Sequence, residues 1–185
     1  MSSDQEIREA KKSIRKRIRA IRESSVAFDS SSIVSSLQTL PEWKAASTVL
    51  LYHPLPGEVD LRPLLGVPGK RIVLPLVSGE DLLLKEYAPG SLVRGFAGIE
   101  EPAASAPDVD PSEIGLAVIP GVAFDSACRR LGRGRGFYDR LLPKLGCPLA
   151  GVAFSWQMVE AVPSDPWDVP LDILVTPERI FRKQQ

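Results

Sequence analysis

A chain of 185 residues, 44% of them hydrophobic and 25% charged, has the composition of one globular domain with a core of its own, which excludes disordered and fibrous classes. Its 23 basic and 23 acidic side chains cancel, so a protein that binds nucleic acid through an overall positive charge is not indicated. Because no apolar run approaches the ~20 residues that cross a bilayer, and the first residues lack the apolar segment of a secretory signal, we expect a cytoplasmic protein.

The first predicted element is an amphipathic helix. Apolar residues recur at steps of three or four and form one stripe, made of Ile7, Ala10, Ile14, Ile18 and Ile21. A neighbouring stripe is basic and contains Arg8, Lys12, Arg15, Arg19 and Arg22. Eight basic residues and one acidic residue lie between Ile7 and Arg22, a pattern typical either of a solvated basic face or of a surface that binds an anion.

The remaining elements alternate between helix and strand. A second helix is predicted over residues 29–40, ending at Pro41, and a short helix over 136–145. Continuous apolar runs predict strands over 48–52, 71–77, 81–87, Leu116–Ile119, 148–154 and 172–177. The stretch 100–113 is predicted to be a surface loop. Because such strands are covered on both faces, we predict an α/β fold: a single three-layer domain over residues 1–185, with a largely parallel or mixed central sheet and helices on both faces.

The segment RRLGRGRGFYDR, residues 129–140, lies between the most apolar strand and the short helix. Glycines let the backbone approach a ligand closely, a helix N-terminus attracts anions, and Arg133 and Arg135 can form paired hydrogen bonds with phosphate or carboxylate. The segment does not match the dinucleotide fingerprint, because Phe137 stands where its third glycine is required, nor the Walker pattern. A flexible surface loop and an RNA-binding Arg-Gly segment are alternatives, but this position favours a loop that binds phosphates.

Several segments together resemble one enzyme family. The stretch PGVAFDSACRRLGRGRGFYDRLL is similar to the signature of the 5-formyltetrahydrofolate cyclo-ligases, and other parts of that family resemble, in the same order, AKKSIR, PGEVD, GIEEP and DVPLDILVTPERI. The resemblance covers essentially the whole chain. The sequence departs from the family pattern at Arg135, where lysine is usual, at Phe137, where tyrosine is common, at Cys128, in place of a turn glycine, and at Leu61, in place of threonine.

The resemblance implies an enzyme that uses ATP and Mg²⁺ to convert 5-formyltetrahydrofolate to 5,10-methenyltetrahydrofolate. The formyl oxygen would be phosphorylated, the N10 amine would attack, and ADP and phosphate would be released. We expect small-molecule substrates as partners, a monomer, and no nucleic-acid or membrane partner. A binding module without catalysis and an RNA-binding protein are the alternatives; the glycines and acidic residues of the family motifs argue against the first, and the net charge of zero argues against the second.

The family's functional residues carry over to specific positions of this sequence. The implied ATP-binding residues are Lys11, Lys12, Ser13, Ile14, Arg15, Arg130, Leu131, Gly132, Arg133, Gly134, Arg135, Gly136, Phe137 and Tyr138. The implied folate-binding residues are His53, Glu58, Arg133, Gly134, Arg135, Gly136 and Phe137. Arg133 and Arg135 are implied as catalytic residues. Asp139 and Asp168 are implied as ligands of Mg²⁺, an ion that prefers oxygen ligands.

Some single residues have simpler interpretations. Asp168 is alternatively a turn cap in SDPWDVP, where Asp165 is an equally good turn residue. His53, the only histidine, is favoured as a residue of the pocket wall over a general base. Cys128 and Cys147 lack the spacing of a zinc site and are expected to be free thiols. The residues expected in the core or in pocket walls are Tyr52, Trp156 and Trp167.

Overall fold

The computed structural model describes residues 3–24, 29–95 and 98–184, and within these ranges the chain forms four α-helices and eleven strands. The helices are α1 Ser3–Glu23, α2 Ser31–Thr39, α3 Pro41–Ala45 and α4 Phe137–Leu141. The strands are β1 Thr48–Leu50, β2 Arg71–Ser78, β3 Asp81–Glu86, β4 Leu92–Arg94, β5 Glu100–Pro102, β6 Leu116–Ile119, β7 Ala123–Phe124, β8 Arg130–Leu131, β9 Leu149–Val152, β10 Ile173–Val175 and β11 Ile180–Arg182. Single 3₁₀ turns include Arg62–Leu64, Pro111–Glu113, Leu142–Lys144 and Ser155–Gln157.

The central sheet has seven strands in the order β11-β10-β9-β6-β1-β2-β3. The five inner strands are parallel, and the outer strands β3 and β11 run antiparallel to their neighbours. The chain passes from β1 to β2 on one side and later returns to β6 on the other side of β1. In open α/β sheets, ligands bind outside the carboxyl ends of the strands where the winding reverses in this way. The topology therefore places a binding crevice after β1 and β6.

Apolar side chains cover both faces of the sheet. Along β1, Val49 and Leu51 belong to one apolar layer and Leu50 to the other, as the two-residue period of a strand requires. The first layer includes Leu37 of α2, and the second includes Leu141 of α4. Burial on both faces explains why the strands read as continuous apolar runs, and the predicted α/β fold with helices on both faces is confirmed.

The first helix, α1, packs against a small hairpin beside the sheet. Its apolar stripe is buried at Ile18, which is 4% exposed and clusters with Ala123, Leu131 and Val162. Two of these residues lie in β7 and β8, which pair antiparallel immediately before the glycine-rich segment. The packing of α1 therefore carries its basic residues to that segment. Neither α1 nor any other helix within the described ranges is long and apolar enough to cross a membrane.

Several predicted boundaries were wrong. The second helix ends at Thr39, and Pro41 begins α3 at its first position, where a fixed φ and a missing N–H cost nothing. The stretch 100–113 is not a plain loop, because β5 pairs with β4 and Asp110 caps a 3₁₀ turn by accepting the N–H of Ser112. The edge strand β11 was not predicted. Strands of three residues are too short to show a hydrophobic period.

Candidate active site

A cavity of about 320 Å³ opens at the reversal point of the sheet, and we call it the large cavity. Tyr52 and His53 line it where the chain leaves β1, and Pro120 and Gly121 line it where the chain leaves β6. Its apolar surface comes mainly from Leu74, Pro75, Val77, Leu82 and Ile99. The cavity brings the predicted folate residues His53 and Glu58 together with the glycine-rich segment, as the strand order implies.

The glycine-rich loop, residues 132–136, forms one wall of the large cavity. Gly134 has a φ of +95° and Gly136 a φ of +72°, a region that residues with side chains rarely adopt. Gly136 directly precedes α4, which has only five residues. A helix this short supplies little dipole. Anion binding by this loop therefore depends more on the arginines than on the N-terminus of α4. Arg133 and Arg135 both line the cavity and supply the positive charge of the loop.

Arg130 forms the buried end of this positive surface. Its side chain is 6% exposed, and its Nη2 donates to Oδ1 of Asp139 at 2.8 Å. Its Nε is buried without a hydrogen-bond partner. Burial lowers the pKa of Arg130, and burial also raises the pKa of Tyr138, whose ring centroid lies 5.7 Å from the guanidinium carbon. A guanidinium with a buried unused donor at a cavity wall is suited to a further anionic partner.

Lys11 joins α1 to the turn that precedes β10. Its Nζ lies 2.6 Å from Oδ2 of Asp165 and 2.6 Å from Oδ2 of Asp168. Burial acts to lower the pKa of Lys11, but hydrogen bonds and charge from the two carboxylates outweigh burial and raise it above its ordinary value. Asp168 also caps the turn by accepting the N–H of Asp165 at 2.9 Å. The turn-cap interpretation of Asp168 is therefore right in geometry, and it does not conflict with a functional role.

Arg15 connects the same helix to the glycine-rich loop. Its Nε donates to the carbonyl oxygen of Gly132 at 2.9 Å. Burial lowers the pKa of Arg15, and the charges of Asp139 and Asp168 oppose that shift. The two carboxylates that act on this guanidinium are 29 positions apart in the sequence.

The structure does not bring every predicted nucleotide residue of α1 to the loop. Lys12 has a side chain that is 77% exposed, and its nearest acidic partner is Glu9 at 3.8 Å. Ser13 is exposed, and Ile14 packs against the apolar cluster around Ile18. Helical geometry explains this division, because residues one position apart point in different directions. Lys11 and Arg15, four positions apart, share one face of α1; Arg15 contacts the loop, and Lys11 contacts the turn of Asp165 and Asp168.

Of the two predicted ligands of Mg²⁺, Asp139 lines the large cavity, whereas Asp168 lies outside its lining. Asp139 is 48% exposed at the large cavity and has one oxygen on Arg130. One carboxylate oxygen of Asp168 forms an ion pair with Lys11. Within the described residues, no group of three or more His, Cys, Asp or Glu side chains forms a site of its own. Magnesium in nucleotide enzymes usually takes one or two carboxylates together with substrate phosphates and water.

The loop after β1 presents Glu58 to the large cavity. Glu58 is 9% exposed; its Oε2 accepts the N–H of Leu55 at 3.0 Å, and its Oε1 accepts from Nη2 of Arg133 at 2.7 Å. His53 is 12% exposed, and its Nε2 lies 3.2 Å from a carboxylate oxygen of Glu100. Tyr52 donates its hydroxyl to the carbonyl oxygen of Val59 at 3.1 Å. His53 and Tyr52 thus lie in the cavity wall.

Two parts of the site were missed or misplaced by sequence reasoning. Glu100 and Glu101 line the large cavity, and Glu101 is 6% exposed and accepts the N–H of Val77 at 3.3 Å. The motif GIEEP contained both residues, but neither was given a role. Trp167 was expected in the core or a pocket wall and is instead 67% exposed, in a turn between two prolines.

Comparison with known proteins identifies the family. The model of the 5-formyltetrahydrofolate cyclo-ligase family matches residues 1–177. The chain belongs to the 5-formyltetrahydrofolate cyclo-ligase family. A 5-formyltetrahydrofolate cyclo-ligase of Escherichia coli is 36% identical over 179 residues, covering 91% of this chain and 98% of that protein. A cyclo-ligase of Haemophilus influenzae is 35% identical, covering 88% of this chain and 95% of that protein.

Solved structures of similar proteins have the same fold. The 5,10-methenyltetrahydrofolate synthetase of Aquifex aeolicus is 38% identical with a TM-score of 0.85, covering 95% of this chain and 94% of that one. The synthetase of Mycoplasma pneumoniae is 27% identical with a TM-score of 0.71, covering 89% of this chain and 97% of that one. Membership of the cyclo-ligase family makes this chain an enzyme of the ligase type.

Proposed function

We propose that this enzyme converts 5-formyltetrahydrofolate to 5,10-methenyltetrahydrofolate with the consumption of ATP. The observation that carries the proposal is the large cavity, in which an apolar wall and a buried carboxylate, Glu58, face the arginines of the glycine-rich loop. The apolar wall suits a pterin ring, and Glu58 suits its 2-amino edge, because a carboxylate accepts paired hydrogen bonds. Arg133 and Arg135 suit a phosphoryl group.

The chemistry requires the formyl oxygen to become a leaving group. The oxygen attacks the γ-phosphorus of ATP, the bond to ADP breaks, and the product is an iminium phosphate at N5. The N10 amine then attacks the formyl carbon, the carbon–oxygen bond breaks, phosphate leaves, and N10 gives up its proton. Phosphoryl transfer depends mainly on position and on neutralising charge. Arg133 and Arg135 would neutralise the transferring group, and Arg130 and Lys11 would hold the rest of the phosphate chain.

Asp139 and Asp168 would hold Mg²⁺ together with the phosphates, and the ion supplies positive charge that neutralises them. The residues themselves have a second task. Their present partners, Arg130 and Lys11, are cations, so Asp139 also fixes a positive side chain at the cavity, and Asp168 fixes one on α1. Lysine and arginine side chains that are held in place in this way can bind a phosphate without first rearranging.

The test is an absorbance assay. Purified protein is mixed with 5-formyltetrahydrofolate and Mg-ATP, and the near-ultraviolet absorbance of the methenyl product is followed, with ATP omitted as the control. The absence of product from the complete mixture refutes the proposal. Glu58→Gln should raise the apparent folate KM more than the ATP KM, since it removes the charge that faces the pterin edge. Equal effects on both KM values would assign Glu58 to the fold and not to the pterin.

A further inference from the structure

A second cavity of about 100 Å³, which we call the arginine cavity, lies beside the large cavity and under the C-terminal half of α1. Four guanidinium groups and a single carboxylate, that of Glu58, line it; the arginines are Arg15, Arg19, Arg22 and Arg133. Guanidinium groups that surround a small space repel one another unless an anion lies between them. Arg19 and Arg22 have no role in the assignments above, and their place in this lining indicates a site for an anion.

The ion pair between Glu58 and Arg133 is the wall between the two cavities. Both residues line the large cavity and the arginine cavity. Nη2 and Nε of Arg133 lie 2.7 Å and 3.2 Å from the same oxygen, Oε1 of Glu58. Oε2 of Glu58 accepts the N–H of Leu55. Because Oε1 already accepts two hydrogen bonds from Arg133, a ligand that donates paired hydrogen bonds to both oxygens of Glu58 competes with Arg133 for Oε1.

Arg133 is the more exposed partner of this pair. Its side chain is 45% exposed and it stands between two glycines, whereas Glu58 is 9% exposed. In the loop that carries Glu58, Gly57 lies directly under the side chain of Arg22. Arg133 therefore has more room to move than Glu58 when the pair separates.

We propose that Arg133 exchanges partners between the two cavities. A ligand in the large cavity that donates hydrogen bonds to Glu58 releases Arg133, and Arg133 then binds an oligophosphate in the arginine cavity together with Arg19 and Arg22. The inference rests on the proposed function, in which the ligand of the large cavity is a pterin; the anion is the terminal part of a nucleotide's phosphate chain, the group that the proposed function places at Arg133. Its consequence is that each ligand strengthens the binding of the other by the same factor, because coupling between two sites is reciprocal.

Isothermal titration calorimetry with inorganic tripolyphosphate and 5-formyltetrahydrofolate tests the exchange without turnover, because no ATP is present. The dissociation constant of tripolyphosphate should fall on the order of tenfold when the folate saturates the protein. The dissociation constant of the folate should fall by the same factor when tripolyphosphate saturates the protein. If the folate does not change the dissociation constant of tripolyphosphate, the inference is wrong. A protein that does not bind tripolyphosphate also overturns it.

Two variants separate the exchange from simple electrostatic attraction. Arg133→Gln should bring the coupling factor close to one, whatever its effect on the affinity for folate alone. Arg19→Gln should weaken tripolyphosphate binding but keep the coupling factor. The matched control is Arg182→Gln, because Arg182 pairs with Glu42 at 2.6 Å and 3.2 Å, a similar geometry remote from both cavities, and it should change neither quantity. Far-ultraviolet circular dichroism checks that each variant is folded.

The outcomes distinguish this inference from the proposed function. If the wild type forms the methenyl product and binds both ligands with no coupling, the function stands and the exchange is wrong. If Arg133→Gln keeps the full coupling factor, the exchange is also wrong, whatever its activity. If the wild type binds no folate, the proposed function fails and the inference fails with it.

Discussion

Lys11 offers the sharpest test of how the first helix is held. Lys11→Met removes the ammonium group and keeps most of the apolar stem. The loss leaves Asp165 and Asp168 facing each other, with side chains that are 14% and 22% exposed. Hydrogen bonds to charged groups contribute about 1.5–3 kcal/mol each, and the partial exposure here reduces that contribution. We therefore expect the free energy of unfolding to fall by about 2 kcal/mol for the two contacts together.

The neighbouring Lys12 is the matched control. Lys12→Met makes the same chemical change one position along the helix, where the side chain is 77% exposed. It should change the free energy of unfolding by less than about 0.5 kcal/mol. Thermal unfolding followed by circular dichroism measures both variants, and a loss of about 2 kcal/mol corresponds to a fall in Tm of about 4–8 °C for a chain of this size.

A double variant completes the test. Lys11→Met combined with Asp165→Asn removes one of the two facing carboxylates, so it should recover about 1 kcal/mol of the loss. The apparent KM for ATP should rise in Lys11→Met and stay unchanged in Lys12→Met. If the two single variants unfold at the same temperature, Lys11 does not hold α1 to the turn and the reasoning is refuted.

Three further predictions follow from the site. Arg135→Ala should weaken ATP use on the order of tenfold, the loss of one charged hydrogen bond, whereas Arg135→Lys should retain ATP use; unchanged ATP kinetics in the alanine variant would place this side chain away from the nucleotide. Asp139→Asn and Asp168→Asn should each raise the magnesium concentration that gives half-maximal rate, and a lower rate with unaltered magnesium dependence would reject the metal assignment. Burial raises the pKa of Cys128 and of Cys147 to about 11, so the reactive thiolate is scarce at pH 8 and alkylation should be slow there and faster at higher pH. Labelling at the rate of free cysteine at pH 8 would contradict this, and mass spectrometry measures it.

Sequence reasoning could bring Glu58 and Arg133 together because both follow strands of the parallel sheet. Glu58 lies after β1, and Arg133 lies after β6 and the hairpin of β7 and β8; in a parallel sheet such loops converge whatever their distance in the sequence. The partners of each side chain could not be predicted in this way. The sequence gives no signal that Lys11 spans Asp165 and Asp168, or that Arg133 lies on Glu58, because these contacts depend on how α1 and the loops pack.

One departure from the family pattern has a structural meaning that the sequence only suggested. Cys128 stands where the family has a turn glycine, and its φ is +61°, in the left-handed region. Its side chain is fully buried in the apolar layer that contains Phe124. A non-glycine residue costs about 1 kcal/mol or more in this conformation, and burial of the thiol offsets part of that cost.

The contacts of Lys11 join residues that are 154 and 157 positions apart. Neither apolar layer of the sheet includes a residue of α1, so the sheet assembles around other segments. At a synthesis rate of 5–20 residues per second, the ribosome releases this helix about 8–30 seconds before Asp168. Lys11 is therefore synthesised well before the two carboxylates that it contacts. The proposed nucleotide site is completed only after most of the protein has been made.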